Sequence, residues 1–145
     1  MEVQKTAYKP TLEIIQGFQR ELLKFPQQEI ETHHHFSDGL YAREIRVKAD
    51  TILVGKIHKT EHINVLSQGT IVVLTEDGLK ELNAPCTFVS PAGTKRIGYT
   101  LSDVIWTTFH GGVPETTDIA KLEELLIEKE DISIKEIEEA IKCLG

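Results

Sequence analysis

Two segments decide the fold: Lys56-Ile57-His58-Lys59-Thr60-Glu61-His62 and Pro91-Ala92-Gly93-Thr94-Lys95-Arg96. Between them the chain breaks into short runs rich in β-branched residues, at 64–66, 70–75, 79–82 and 87–89. Runs of this kind, bounded by turn residues, predict strands. Thr70-Ile71-Val72-Val73-Leu74 is apolar almost throughout, the pattern expected of a strand buried on both faces. Glu76-Asp77-Gly78 marks a hairpin, because Asp-Gly accepts positive φ.

Working outward, residues 40–47 and 51–57 add strands before this stretch, and 96–100 and 104–109 add strands after it. Turn signals recur roughly every ten residues across about eight strands, which predicts a β-sandwich or barrel. Residues 11–25 carry Leu12, Ile15, Phe18, Leu22 and Phe25 at three- and four-residue steps, an amphipathic helix with Pro10 in its first turn and Pro26 as its stop. Residues 27–32 read as a polar connector. After Gly111-Gly112 and Pro114, a helical stripe of Ile119, Leu122, Leu125 and Leu126 appears. Ser133 with Glu136 is a capping box for another helix. The expected organisation is one domain: helix and connector 1–32, barrel 33–112, helical extension 113–145.

Composition narrows the function classes. The 145 residues carry a net charge of −7. Phosphate neutralisation needs clustered Lys and Arg, so this balance argues against a nucleic-acid partner. Cys86 and Cys143 form no Cys-x-x-Cys pair, which argues against a disulfide framework. No signal-peptide pattern and no apolar run of membrane-spanning length occurs. The expected location is the cytoplasm, with no membrane partner.

The ionisable residues cluster by parity. His58 and His62 are an even number apart, so on one continuous strand they share a face with Lys56, Thr60 and Asn64. Imidazole is the commonest ligand of transition metals. Two imidazoles make half a site; His110, ending the run 104–109, is the candidate third ligand. Tyr99 and Trp106 are candidates for an aromatic wall. Glu61 has the opposite parity and stays out of the pocket unless a turn breaks the strand at Thr60. His33-His34-His35 point to alternating sides of an extended chain, so at most two could share an ion. His35, beside Phe36 and the first strand, is the one expected to have a packed role.

His58, Gly69, Pro91 and Gly93 stand at the spacings of the two cupin motifs, and residues 40–110 resemble the cupin superfamily. The chain is also similar to short cupin-like proteins of bacteriophages and bacteria. The resemblance implies a mainly β protein: a single antiparallel jelly-roll barrel with one N-terminal and two C-terminal helices. Four positions depart from the metal motif. Lys56 and His62 replace a histidine and a glutamate, and Arg96 and Thr100 replace a histidine and an asparagine. Protonated Lys and Arg are poor ligands, and two cations beside a divalent ion are unfavourable unless an anion lies between them.

Three outcomes follow. A cationic pocket, lined by Lys56 and Arg96, takes a carboxylate, phosphate or sugar without metal. Alternatively, zinc, iron, nickel or manganese is held by His58, His62 and His110. Or Arg96 turns outward and is structural. The corresponding functions are an isomerase, lyase or dioxygenase on a small anion, or a non-catalytic binding module or structural dimer. Sheet edges and apolar helix faces that need cover predict a homodimer. Metal affinity is expected to fall as pH drops through about 6.5, where a free imidazole protonates.

Overall fold

The structure is a computed structural model that describes residues 8–130. Its elements run in the order α1 (Leu12–Leu22), β1 (Glu31–Ser37), β2 (Leu40–Val47), β3 (Ile52–Val54), β4 (His62–Gln68), β5 (Thr70–Thr75), β6 (Gly78–Asn83), β7 (Cys86–Ser90), β8 (Ile97–Thr100), β9 (Val104–Gly111) and α2 (Ile119–Leu126). Two antiparallel sheets form, β1-β2-β9-β4-β7 and β3-β8-β5-β6. Pairing of β2 with β9 and of β5 with β8 brings distant segments together, as in a jelly roll. The mainly β, antiparallel barrel-like expectation is met.

Alternation along each strand builds the core. Ile45, Val47, Leu66, Val104 and Trp106 of the first sheet face Ile71 and Val73 of the second. Full burial of each such side chain stabilises by about 1.5–3 kcal/mol. A satellite cluster of Tyr41, Leu122 and Leu126 attaches α2 beside this core. The β4–β5 turn depends on Gly69. Its φ is +87°, and a Cβ there would stand 2.1 Å from the Asp103 carbonyl oxygen.

Several local expectations change. The connector expected over 27–32 is shorter, because β1 begins at Glu31; it pairs along its whole length with β2, placing His33, His34 and His35 opposite Glu44, Arg43 and Ala42. Cross-strand pairing outweighs weak strand propensity there. His34, not His35, is the packed member; it stacks on Tyr41 and its Nδ1 meets the Tyr41 hydroxyl at 2.6 Å. The strand expected over 51–57 ends at Val54. Beyond it the Gly55 N–H donates to the Arg96 carbonyl and the chain leaves the sheet. β5 buries only Ile71 and Val73 fully, so it alternates. Thr11 caps α1 through its hydroxyl and the helix closes at Leu22, which leaves Pro10 ahead of the cap and Phe25 beyond the helix. Leu122 and Leu126 are buried, whereas Leu125 is exposed. The Ser133–Glu136 helix and Cys143 lie outside the described residues. Among the described residues, no helix is long and apolar enough to cross a membrane.

Candidate functional site

Inward-facing positions on two central strands place most of the site. β4 turns His62, Asn64 and Leu66 inward, and β9 turns Trp106, Thr108 and His110 to the same side. His58 arrives by a different route. Bends at Lys59 and Thr60 separate it from β4, so the continuous-strand argument does not hold. The loop folds back and delivers His58 to the same point.

The three imidazoles meet. Their candidate ligand nitrogens all lie within 4.8 Å of one another. His58 Nδ1 is 2.9 Å from His110 Nε2. The His58 ring stacks on His62 and on His110, with centroids 4.2 Å and 4.9 Å away. His62 Nδ1 is 3.0 Å from the Thr60 carbonyl. A carbonyl only accepts, so Nδ1 carries the proton and Nε2 keeps a free lone pair. His110 Nδ1 is buried without a hydrogen-bond partner.

Burial is the main cause that holds all three rings neutral. It pushes His58 down to about 3, with His62 and His110 adding repulsion, and His110 down to about 4; His62 is lowered too. Three neutral, convergent ring nitrogens suit a divalent transition metal in donor chemistry, and the buried, partnerless nitrogen of His110 is a vacancy in the cluster's hydrogen bonding.

Beside the histidines lies a cavity of about 230 Å³, lined by Arg43, Lys56, Asn64, Arg96, Trp106 and Glu123 among others. Arg96 faces inward. Its guanidinium sits over the rings of Phe88 and Trp106, at 5.5 Å and 5.8 Å, and Nη2 donates to Ser90 Oγ. Ser90 also accepts from Asn64 Nδ2 at 2.7 Å. Asn64 Oδ1 accepts from Trp106 Nε1 at 3.1 Å and from Thr108 Oγ1 at 3.0 Å. Trp Nε1 can only donate, which fixes the amide orientation. Among the described residues no carboxylate pairs with Arg96 or Arg43. Burial pushes Arg96 below the usual guanidinium range.

The other expected residues fall as follows. Lys56 stands at the rim, its Nζ 3.4 Å from Glu123 Oε1. Trp106 is in the cavity wall. Tyr99 is a correction: it projects from β8 away from the cavity, and its hydroxyl donates to Asp50. Thr100 is also structural, accepting from Thr51 N at 2.9 Å. Glu61 is exposed outside the cavity, although the strand does break at Thr60. The sequence reading missed Arg43, Thr108, Ser90 and Glu123 as site neighbours. Thr108 was within reach, since it shares parity with His110; Glu123 was not, because only tertiary packing brings α2 to the cavity.

The two packed sheets carry a cluster of three histidines, and comparison with solved structures supports the expected class at the level of fold: the fold is that of cupin-domain proteins. EutQ from Salmonella typhimurium is similar at a TM-score of 0.51 and 11% identity, over 60% of this chain and 72% of that one. KdgF from a Halomonas species is similar at 0.50 and 16%, over 63% and 92%. The cupin domain of Cnp3 from Schizosaccharomyces pombe is similar at 0.50 and 17%, over 60% and 67%. No protein-family model and no curated protein matches the sequence.

Proposed function

We propose that this cupin binds a small anion, a carboxylate or phosphate group, in the cavity beside Arg96, with a divalent transition metal held by His58, His62 and His110. The observation that carries the proposal is the contrast between two adjacent cations. Lys95 is 1% exposed and paired with Glu130 at 2.7 Å. Arg96, also pulled from water, has no carboxylate among the described residues. A buried charge without a partner is unfavourable, and an anionic ligand supplies the partner.

The chain's own groups divide the work. Arg96 presents several N–H donors and binds an oxyanion in two-pronged fashion. The Asn64–Ser90 bonds hold the guanidinium in place. Phe88 and Trp106 exclude water from it, which strengthens each charged contact. Neutral His62 keeps its Nε2 lone pair free, for ligation or for accepting a proton, while His58 and His110 share one hydrogen bond. A bound divalent ion would supply Lewis acidity toward a ligand oxygen. The catalytic form of the proposal is an isomerase, lyase or dioxygenase acting on that anion.

A metal-free binding module is the second reading, favoured by the stacked rings and the His58–His110 hydrogen bond, which join the three imidazoles without an ion. Metal analysis of purified protein separates the two. Thermal-shift titration with small carboxylates and phosphate, on wild type and Arg96→Met, tests the anion; equal shifts in both would refute it. The proposal includes a homodimer. Cross-strand neighbours Ile63 and Val89 are 47% and 56% exposed on the outer sheet face, and a light-scattering mass near 16.3 kDa would count against it.

A further inference from the structure

His62 and His110 are set by the sheet, since β4 and β9 each pair with a strand on both sides. His58 belongs to no strand. Its segment is held by three backbone hydrogen bonds: Gly93 N–H to the His58 carbonyl at 3.0 Å, Glu128 N–H to Ile57 at 2.9 Å, and Lys59 N–H to Leu126 at 2.8 Å. Two of these bonds tie it to the last residue of α2 and to the strap that follows, with His58 directly opposite Ile127. The strap is tied down beyond that bridge. Lys95 Nζ lies 2.7 Å from Glu130 Oε1 and 2.9 Å from Oε2, and also donates to the Gly55 carbonyl at 3.0 Å. One buried ammonium therefore grips both sides of the bridge: the segment that leads into His58 and the strap beside it. Gln16 of α1 adds a hydrogen bond to Glu130 at 3.1 Å.

We propose that Glu130 is a positioning residue for His58: its ion pair with Lys95 anchors the strap, and the strap holds His58 against His110. The inference rests on reading the three histidines as one site. Coupling runs both ways, so whatever fastens His58 to its neighbours also tightens the strap.

The test uses the full chain without metal at fixed neutral pH, by amide hydrogen exchange and by the ring nitrogen signals of the histidines. In wild type, the Lys59 and Glu128 amides close one bridge and exchange with the same opening equilibrium; unequal openings overturn the proposal. In Glu130→Ala both amides exchange about tenfold faster or more, while those of β4 and β9 keep their protection. The His58 ring signals move toward those of a free imidazole and the His62 signals stay. No acceleration, equal loosening of β4 and β9, or an unmoved His58 overturns the proposal. Glu128→Pro deletes the N–H given to Ile57 and leaves the Lys59 amide as the bridge's reporter; faster Lys59 exchange with moved His58 ring signals is expected, and an unchanged Lys59 and His58 overturn the proposal even if Glu130→Ala does not fold. A zinc titration of wild type stands apart: failure to bind zinc removes the metal reading, whereas the exchange data judge the strap alone.

Discussion

Nδ1 of His58 lies 2.9 Å from Nε2 of His110, joining two imidazoles 52 positions apart in the chain. One ring must donate and the other accept, so the contact exists only while at least one of them is neutral. Protonating both would set two positive rings face to face in a buried place.

Stability should therefore fall on the acid side. His58 and His110 are held near 3 and 4 in the folded chain, against 6.5 for the free side chain. Below about 6.5 the unfolded chain takes up protons that the folded chain refuses. The folded state is fully favoured above that pH and loses about 1.4 kcal/mol per pH unit for each such histidine as pH falls toward 4 and 3. Urea denaturation at pH 7.5 and 5 measures this. His58→Asn should flatten the profile; an unchanged slope would contradict the burial argument. The same values correct the expected metal pH profile. At His58 and His110 a proton would compete with a bound metal only well below 6.5, so acid release of such a metal should track unfolding.

Arg96→Met should abolish anion binding without lowering the stability of the ligand-free protein. The guanidinium is buried with no carboxylate among the described residues, so its removal relieves desolvation and leaves an apolar chain between Phe88 and Trp106. Denaturation of the apo protein should show a change within about 1 kcal/mol or a gain. A loss of several kcal/mol would show that Arg96 is structural.

Asn64 is 1% exposed and serves three neighbours. Asn64→Leu strands the Trp106 indole N–H and removes the acceptor of Thr108, while Ser90 loses a donor. The expected destabilisation is about 2–4 kcal/mol by denaturant titration. A loss under about 0.5 kcal/mol would mean that water replaces the amide without penalty.

What was legible in the sequence follows from how local each cause is. Gly69 and Gly93 were readable because a backbone with positive φ selects glycine where it stands. The strand over 104–109 was readable from its β-branched run, and β9 carries it on to Gly111. His62 was found by type and parity, and His110 by type and by its place at the end of a strand. His58 was found by type but placed for the wrong reason: its position comes from Ile127, which no spacing rule connects to it. Tyr99 looked like a wall residue because an aromatic on a strand suits either face, and only the pairing of Ile52 with Tyr99 settles which. Nothing in the sequence marks Lys95 as buried, since lysine is usually solvated; its partner Glu130 lies across the fold.

Glycine substitutions at two turns should separate strain from collision. Gly39 has φ +68° with nothing within 4 Å of a built Cβ, whereas Gly69 has φ +87° with the Asp103 carbonyl oxygen at 2.1 Å and Ser102 Oγ at 2.8 Å. Gly39→Ala carries only the left-handed penalty, about 1–2 kcal/mol. Gly69→Ala adds a clash with backbone, and backbone can give way only by pulling β5 from its place beside β8. The Thr70 N–H, held by Ser102 Oγ at 2.9 Å, and the Leu101 N–H, held by the Thr70 carbonyl at 2.9 Å, would be displaced with it. Gly69→Ala should then cost at least about 3 kcal/mol, the strain plus an overpacking term. Equilibrium urea unfolding of both variants makes the comparison directly. Equal losses would mean that the turn relaxes around the methyl group and that the close approach of Asp103 is not what selects glycine there.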